Sequence, residues 1–372
     1  MLLRLVPAVG VALALVTGST TVSYAAGQAV VNDTPPSITG DPAVGSLLSA
    51  DPGTWTPAEA TYHYQWLRDG RAITGADTAA YRPRAGDLQH ELYVTVTASA
   101  DGFTDGEATS EHVTVGKGTL LVEKRPTIDG TARFGHVLVA KPGTWSGQPD
   151  RVRYQWLRDG KLVKGADGRR HPLGLADFGK RISVRATATK EGYRRAVATS
   201  GKTGAVGHRV PVSDVVRYHV ETRGSIVADL GVFKRQAQQT FDDPRGWRGS
   251  GVEFRRVRSG GSMTLVLAHA SEVPGFSSEC SSEWSCRVGR YVIINQTRWL
   301  HASPMWNRVH RSLRDYRHMV VNHESGHWLG WGHRGCPSRG ALAPVMQTQS
   351  KGLDGCRPNP WPTAAERNVP RF

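Results

Sequence analysis

Cysteine is scarce, with four in 372 residues, so a small scaffold held together by dense disulfides is excluded. Glycine, at 42, falls far short of the one in three that a collagen requires. No long hydrophobic run is present. The one strongly apolar stretch, residues 5–16, is shorter than the roughly 20 residues a spanning helix needs, so a polytopic membrane protein is excluded. Acidic residues are in deficit: 32 Asp and Glu stand against 47 Lys and Arg, a net charge of +15. With 39% hydrophobic and 21% charged residues, the chain has the make-up of folded globular protein, and its length suits two or three domains. Excess base raises the possibility of a nucleic-acid binder. No basic helix interleaved with aromatics is present, however, and no nucleic-acid partner is expected.

The apolar run follows Arg4 and gives way to small residues, with Ser23 and Ala25 at the −3 and −1 positions of a cleavage site. This is the order of a secretory signal peptide over 1–25, and the expected mature protein is secreted or cell-wall associated, with no membrane span. Export permits disulfides and weakens a nucleic-acid reading further.

The first half repeats itself at an offset of 90 residues without a gap. Gly53-Thr54-Trp55 returns as Gly143-Thr144-Trp145, and YQWLRDG at 64–70 returns unchanged at 154–160. Asp87 and Asp177 also correspond. Within each copy Tyr62, Tyr64 and Trp66, or Ile182, Val184 and Ala186, alternate with a period of two between Gly, Pro and Asp turns. That pattern predicts two all-β sandwiches, at 35–116 and 125–206, with Trp66 and Trp156 in their cores. Neither copy contains cysteine. The copies resemble bacterial Ig-like modules of secreted and wall-associated proteins, which implies spacers or weak wall-adhesion units.

From about 215 the pattern changes. Strands are expected at 216–222, 252–257, 263–268 and 291–295, with helices at 232–241 and 309–329, giving an α+β domain over 215–372. The second helix carries His323-Glu324-Ser325-Gly326-His327. Positions four apart on a helix lie about 40° apart around its axis, so both imidazoles can reach one ion, and Glu324 stands beside it without being a ligand. Gly330 can leave the helix in a left-handed conformation and turn the chain so that His333 returns to the first two histidines. Three neutral imidazoles with an open position describe a catalytic Zn2+ site.

The full HExxHxxGxxH pattern resembles the metzincin zinc metalloproteases. That resemblance implies a methionine turn beneath the metal, and Met346 lies 13 residues after His333 in Ala343-Pro344-Val345-Met346. Thr348 stands where some metzincins have a tyrosine, so no tyrosine ligand is expected. The blocks at 243–247, 292–300, 322–337, 343–346 and 351–362 together resemble one actinobacterial secreted family, catalogued as a domain of unknown function and described as metzincin-like. The resemblance covers about 215–365.

All four cysteines fall in this region and allow three connectivities. The expected pairs are Cys280–Cys286 and Cys336–Cys356, the second closing the loop that carries Met346. The expected activity is that of a zinc metalloendopeptidase acting on peptide or protein substrates, with Glu324 as general base. Two alternatives remain. One is a cell-surface adhesion protein with an idle or structural metal site, and the other is a zinc amidase acting on peptidoglycan peptides. Of the +15 charge, +10 lies on 208–372, which suits anionic cell-envelope polymers as a further partner.

Overall fold

A computed structural model describes residues 27–372; the expected signal peptide at 1–25 lies outside the described residues. Among the described residues no helix is long and apolar enough to cross a membrane. The chain divides into two compact units. One runs to Leu121 and takes in Gly147–Asp150 and Thr189–Ala196; the other holds Val122–Ser146, Arg151–Ala188 and Val197–Phe372.

The first repeat forms two antiparallel sheets. Thr61–Arg68 pairs with Glu91–Ser99 in one, and Leu48–Asp51 lies between Ser37–Thr39 and Ala80–Tyr81 in the other. Alternation puts Trp66, Val94 and Val96 on the inner face, all fully buried, against Leu48 and Ala50 of the second sheet. The second repeat has the corresponding strand order, with Trp156, Ile182 and Val184 facing Leu138 and Ala140. Each core indole donates its N–H to a carbonyl, Trp66 to Thr78 and Trp156 to Gly168, so each tryptophan is buried with its polar atom satisfied.

A buried aspartate closes each sandwich. The Asp87 carboxylate accepts from Arg68, from the Tyr81 hydroxyl at 2.7 Å and from the Arg84 N–H. Asp177 accepts from Arg158 and from the Gly174 N–H, with His171 in the place of Tyr81. The copies differ in charge. Residues 35–116 hold 4 basic and 11 acidic side chains, whereas 125–206 hold 17 and 6.

The last region is built on a five-stranded sheet. Its strands are β1 (Asp214–Arg223), β2 (Val252–Arg256), β3 (Met263–Ala268), β4 (Cys286–Val288) and β5 (Tyr291–Asn295), in spatial order β2-β1-β3-β5-β4. All neighbours are parallel except β4, which runs antiparallel to β5 at the edge. Every residue of β3 is buried, which explains a sequence that is apolar except at Thr264, whose hydroxyl accepts from Arg290. Helix α1 (Leu230–Asp242) starts at Asp229, whose carboxylate accepts from the Val232 N–H, and buries Phe233, Ala237 and Phe241. Short helices α2 (Gln296–His301) and α3 (Pro304–Arg308) lead to α4 (Leu313–Trp328).

The long helix expected from 309 begins four residues later. His310 takes a left-handed conformation, with φ of 52°, and breaks the run. The Ser312 hydroxyl then accepts from the Asp315 N–H and starts α4 afresh. The apolar spacing ran through this break because Val309 and Leu313 pack on either side of it.

Candidate metal centre

Helix α4 packs against α1 and the sheet, and its buried C-terminal half delivers His323, Glu324 and His327. The helix ends at Leu329, and Gly330 has φ of 95°, the left-handed turn the sequence called for. His333 thereby returns to the other two. The His327 Nε2 lies 3.1 Å from the Nε2 of His323 and 3.1 Å from that of His333, and one ring nitrogen from each of the three falls within 4.8 Å of the others.

The tautomers follow from the remaining nitrogens. The His323 Nδ1 lies 2.8 Å from the Val345 carbonyl, and the His327 Nδ1 lies 2.8 Å from the Trp331 carbonyl. A carbonyl only accepts, so each Nδ1 carries the proton and each Nε2 presents a lone pair to the centre. Burial, helped by the neighbouring imidazoles, pushes His323 down to about 3; burial pushes His327 down to about 4. Both are held neutral. Lone pairs aimed at one another at 3.1 Å repel unless a cation lies between them. Tetrahedral Zn–N bonds of about 2.0–2.1 Å would set nitrogens roughly 3.3 Å apart, so the donor set fits zinc in type and spacing.

Glu324 is 5% exposed, and no described residue hydrogen-bonds its carboxyl. Burial pushes its pKa up to about 8, with the Arg287 charge opposing. A dication held by the histidines would lower it again. The three histidines and Glu324 border a cleft of about 600 Å³.

Met346 is fully buried beneath the helix. A Cβ at Gly326 would strike its sulfur and stand 2.8 Å from the Trp247 ring, so this position in HESGH must be glycine for the helix to lie on its floor. Cysteines 280 and 286 are bonded, as are 336 and 356, and the second bridge spans the Met346 loop.

Several contributors escaped the sequence reading. Glu366, fully buried, accepts from the Val345 N–H at 3.1 Å and the Met346 N–H at 2.9 Å, fixing the loop whose carbonyl orients His323. Its signal was present in Thr363-x-x-Glu366, a capping box that the structure forms. Trp284, Arg287 and Lys351 line the cleft, and nothing in their spacing announced it. His318 is buried against the Thr240 hydroxyl at 2.8 Å, with burial pushing it down to about 4, and it is not one of the three histidines that converge. His301 and His310 join no metal-binding group among the described residues.

No curated protein matches this chain. Among solved structures, the N-terminal part has immunoglobulin-like neighbours. Three N-terminal domains of the outer capsid protein Hoc of bacteriophage RB49 align at 17% identity and TM-score 0.24, over 51% of this chain and 65% of that one. Sidekick-1 immunoglobulin domains 1–5 align at 16% identity and TM-score 0.18, over 51% and 43%. The tandem Ig repeats of Dlar align at 15% and TM-score 0.15, over 46% and 97%. The chain thus spans under two thirds of the first two. Its second half carries a family match that begins upstream of 215, inside the last strands of the second repeat. Residues 184–362, slightly under half of the chain, match the family described as "Protein of unknown function (DUF3152)".

Proposed function

We propose that this protein is a secreted, zinc-dependent hydrolase of peptide bonds built on a metzincin-like domain. In this reading His323, His327 and His333 hold the ion, and Glu324 moves the proton. The supporting observation is the convergence of three Nε2 lone pairs, each of the two helical ones oriented by a backbone carbonyl, beside a buried carboxyl that no described residue uses. Two disulfides are in keeping with an oxidising compartment.

A zinc ion held there supplies Lewis acidity that polarises an amide carbonyl and acidifies water at the site. The rest is the work of the chain. Glu324 has a carboxyl that no described residue uses, and a dication held beside it would offset the rise that burial causes, so it can both accept and return a proton. It takes one from attacking water and delivers it to the leaving amine. The Val345 and Trp331 carbonyls hold the imidazole planes so that each Nε2 faces the ion. Met346 and Trp247 support the helix from below. The basic second repeat and the basic last domain would draw the protein to anionic wall polymers, at a range that salt screens.

The test is to measure bound zinc in the purified chain and hydrolysis of casein and of peptidoglycan peptides, for the natural sequence and for Glu324→Gln. Zinc near one per chain in both, with hydrolysis in the natural sequence alone, is the expected result. Equal hydrolysis by the variant would overturn the role of Glu324. Bound zinc with no hydrolysis of either substrate would favour the adhesion alternative, and cleavage confined to peptidoglycan peptides would favour the amidase.

A further inference from the structure

The cleft beside the metal centre has two walls. One is the disulfide-closed segment 280–286, running into edge strand β4 with Arg287; the other is Thr348–Lys351, which follows the methionine loop. Helix α4 gives the floor through Met319 and Val320, and the Tyr316 hydroxyl reaches the Ser350 hydroxyl at 3.0 Å, tying the floor to the second wall.

The charges in this cleft are unbalanced where the chemistry would occur. The Arg287 side chain is exposed and its guanidinium makes no hydrogen bond or ion pair with any described residue, yet its charge is felt by both Glu324 and His327. Lys351 has no ion pair either. Its ammonium lies 5.7 Å from the centre of the Trp284 ring, on the opposite wall, and its charge is felt by His323 and His333. The Arg298 guanidinium sits on the same indole at 4.9 Å. Glu279 and Glu283 also line the cleft, but both are exposed and neither pairs with Arg287 or Lys351. Two unpaired cations therefore approach different members of a histidine triad that itself fits a dication. The one carboxyl at the centre, Glu324, is taken up by proton transfer in the hydrolase reading, so a dication together with these two cations leaves an excess of positive charge that is complementary to an anion.

Resting on the hydrolase reading above, we propose that the substrates are acidic peptides, in which a carboxylate flanking the scissile amide pairs with Arg287 and a second, on the other side of that bond, with Lys351. Arginine presents two parallel N–H donors to a carboxylate, whereas lysine acts as a compact point charge, so Arg287 should dominate the selection.

The experiment uses the full chain loaded with zinc and peptides matched in length, with Glu, Gln or Lys on either side of the cleaved bond. In the natural sequence kcat/KM for the Glu peptide should exceed that for the Gln peptide about tenfold or more, and the advantage should shrink at high salt. Arg287→Glu should bring the ratio to about one or invert it, Arg287→Lys should keep part of it, and Lys351→Glu should lower it less. The same peptides are titrated against Glu324→Gln, with and without zinc, so that selection is also read as binding. There the Glu peptide should bind about tenfold more tightly, and adding Arg287→Glu should remove the difference. Equal affinity for Glu and Gln peptides, or a preference that survives in Arg287→Glu/Lys351→Glu, overturns the proposal. Charge-selective binding without turnover of any peptide would instead retain the selection and overturn the hydrolase reading.

Discussion

Asp177 and Glu324 are both carboxylates buried to 5% exposure or less, one in the second repeat and one in the last domain. Asp177 has partners on both oxygens: Arg158 and His171 on one, the Gly174 N–H on the other. Glu324 has none among the described residues, and its surroundings push it toward the protonated form. A carboxylate whose acceptors are filled by its own fold is a structural fastener. One left with open acceptors beside three converging imidazole lone pairs is held ready for something the fold does not contain. In sequence only Glu324 stands between two histidines four apart; in the structure what separates the two is their list of partners.

The comparison predicts opposite outcomes for the same kind of change. Glu324→Gln should reduce hydrolysis by about 10²–10⁴-fold, the range of general acid–base contributions, while leaving zinc content and the urea midpoint of unfolding essentially unchanged. Loss of both activity and stability would erase the distinction. Next in size, Cys336→Ser with Cys356→Ser should cost about 3 kcal/mol in denaturant unfolding, from the loop-closure entropy of a 20-residue separation. The same pair of changes at Cys280 and Cys286, a separation of 6, should cost about 2 kcal/mol by the same relation. Asp177→Asn should then cost about 2 kcal/mol, because a charged acceptor shared by Arg158 and the Gly174 N–H is lost, with no effect on zinc binding.

The smallest effect is the acid response of His318. Its folded pKa of about 4 lies below the ordinary value of 6.5. The unfolded chain therefore takes up the proton first as pH falls. This contribution to stability is complete above about 6.5 and is lost on the way down to about 4. Urea midpoints measured at pH 7 and pH 5 should differ less in His318→Gln than in the natural sequence. An equal difference would show that His318 is not the group responsible.

The sandwiches were legible from the sequence because a period of two and an exact offset of 90 are local, countable patterns, and Trp66 and Trp156 lie at corresponding inner positions. The convergence of the three histidines was legible for a similar reason: His323, His327 and His333 sit on one helix and the turn made by Gly330, so local geometry alone brings them together. What escaped was carried by contacts between distant segments. Glu366 reaches back 20 and 21 residues to the methionine loop, and Arg287 approaches Glu324 from the edge of the sheet. The start of α4 was misread because periodicity cannot register a single left-handed residue such as His310.

The bond from Glu366 to the Val345 and Met346 amides also sets an order of events during synthesis. The chain emerges N-terminus first, so His323, His327 and His333 can be aligned by their helix and turn while the loop beneath them still lacks the acceptor that fixes it. Only when residue 366 arrives do those two amides find their carboxylate and the Val345 carbonyl settle against His323. The histidine cluster is therefore braced only once nearly all of its domain has been made, and a nascent chain stalled just short of that point would carry all three histidines without the brace that holds His323 in place.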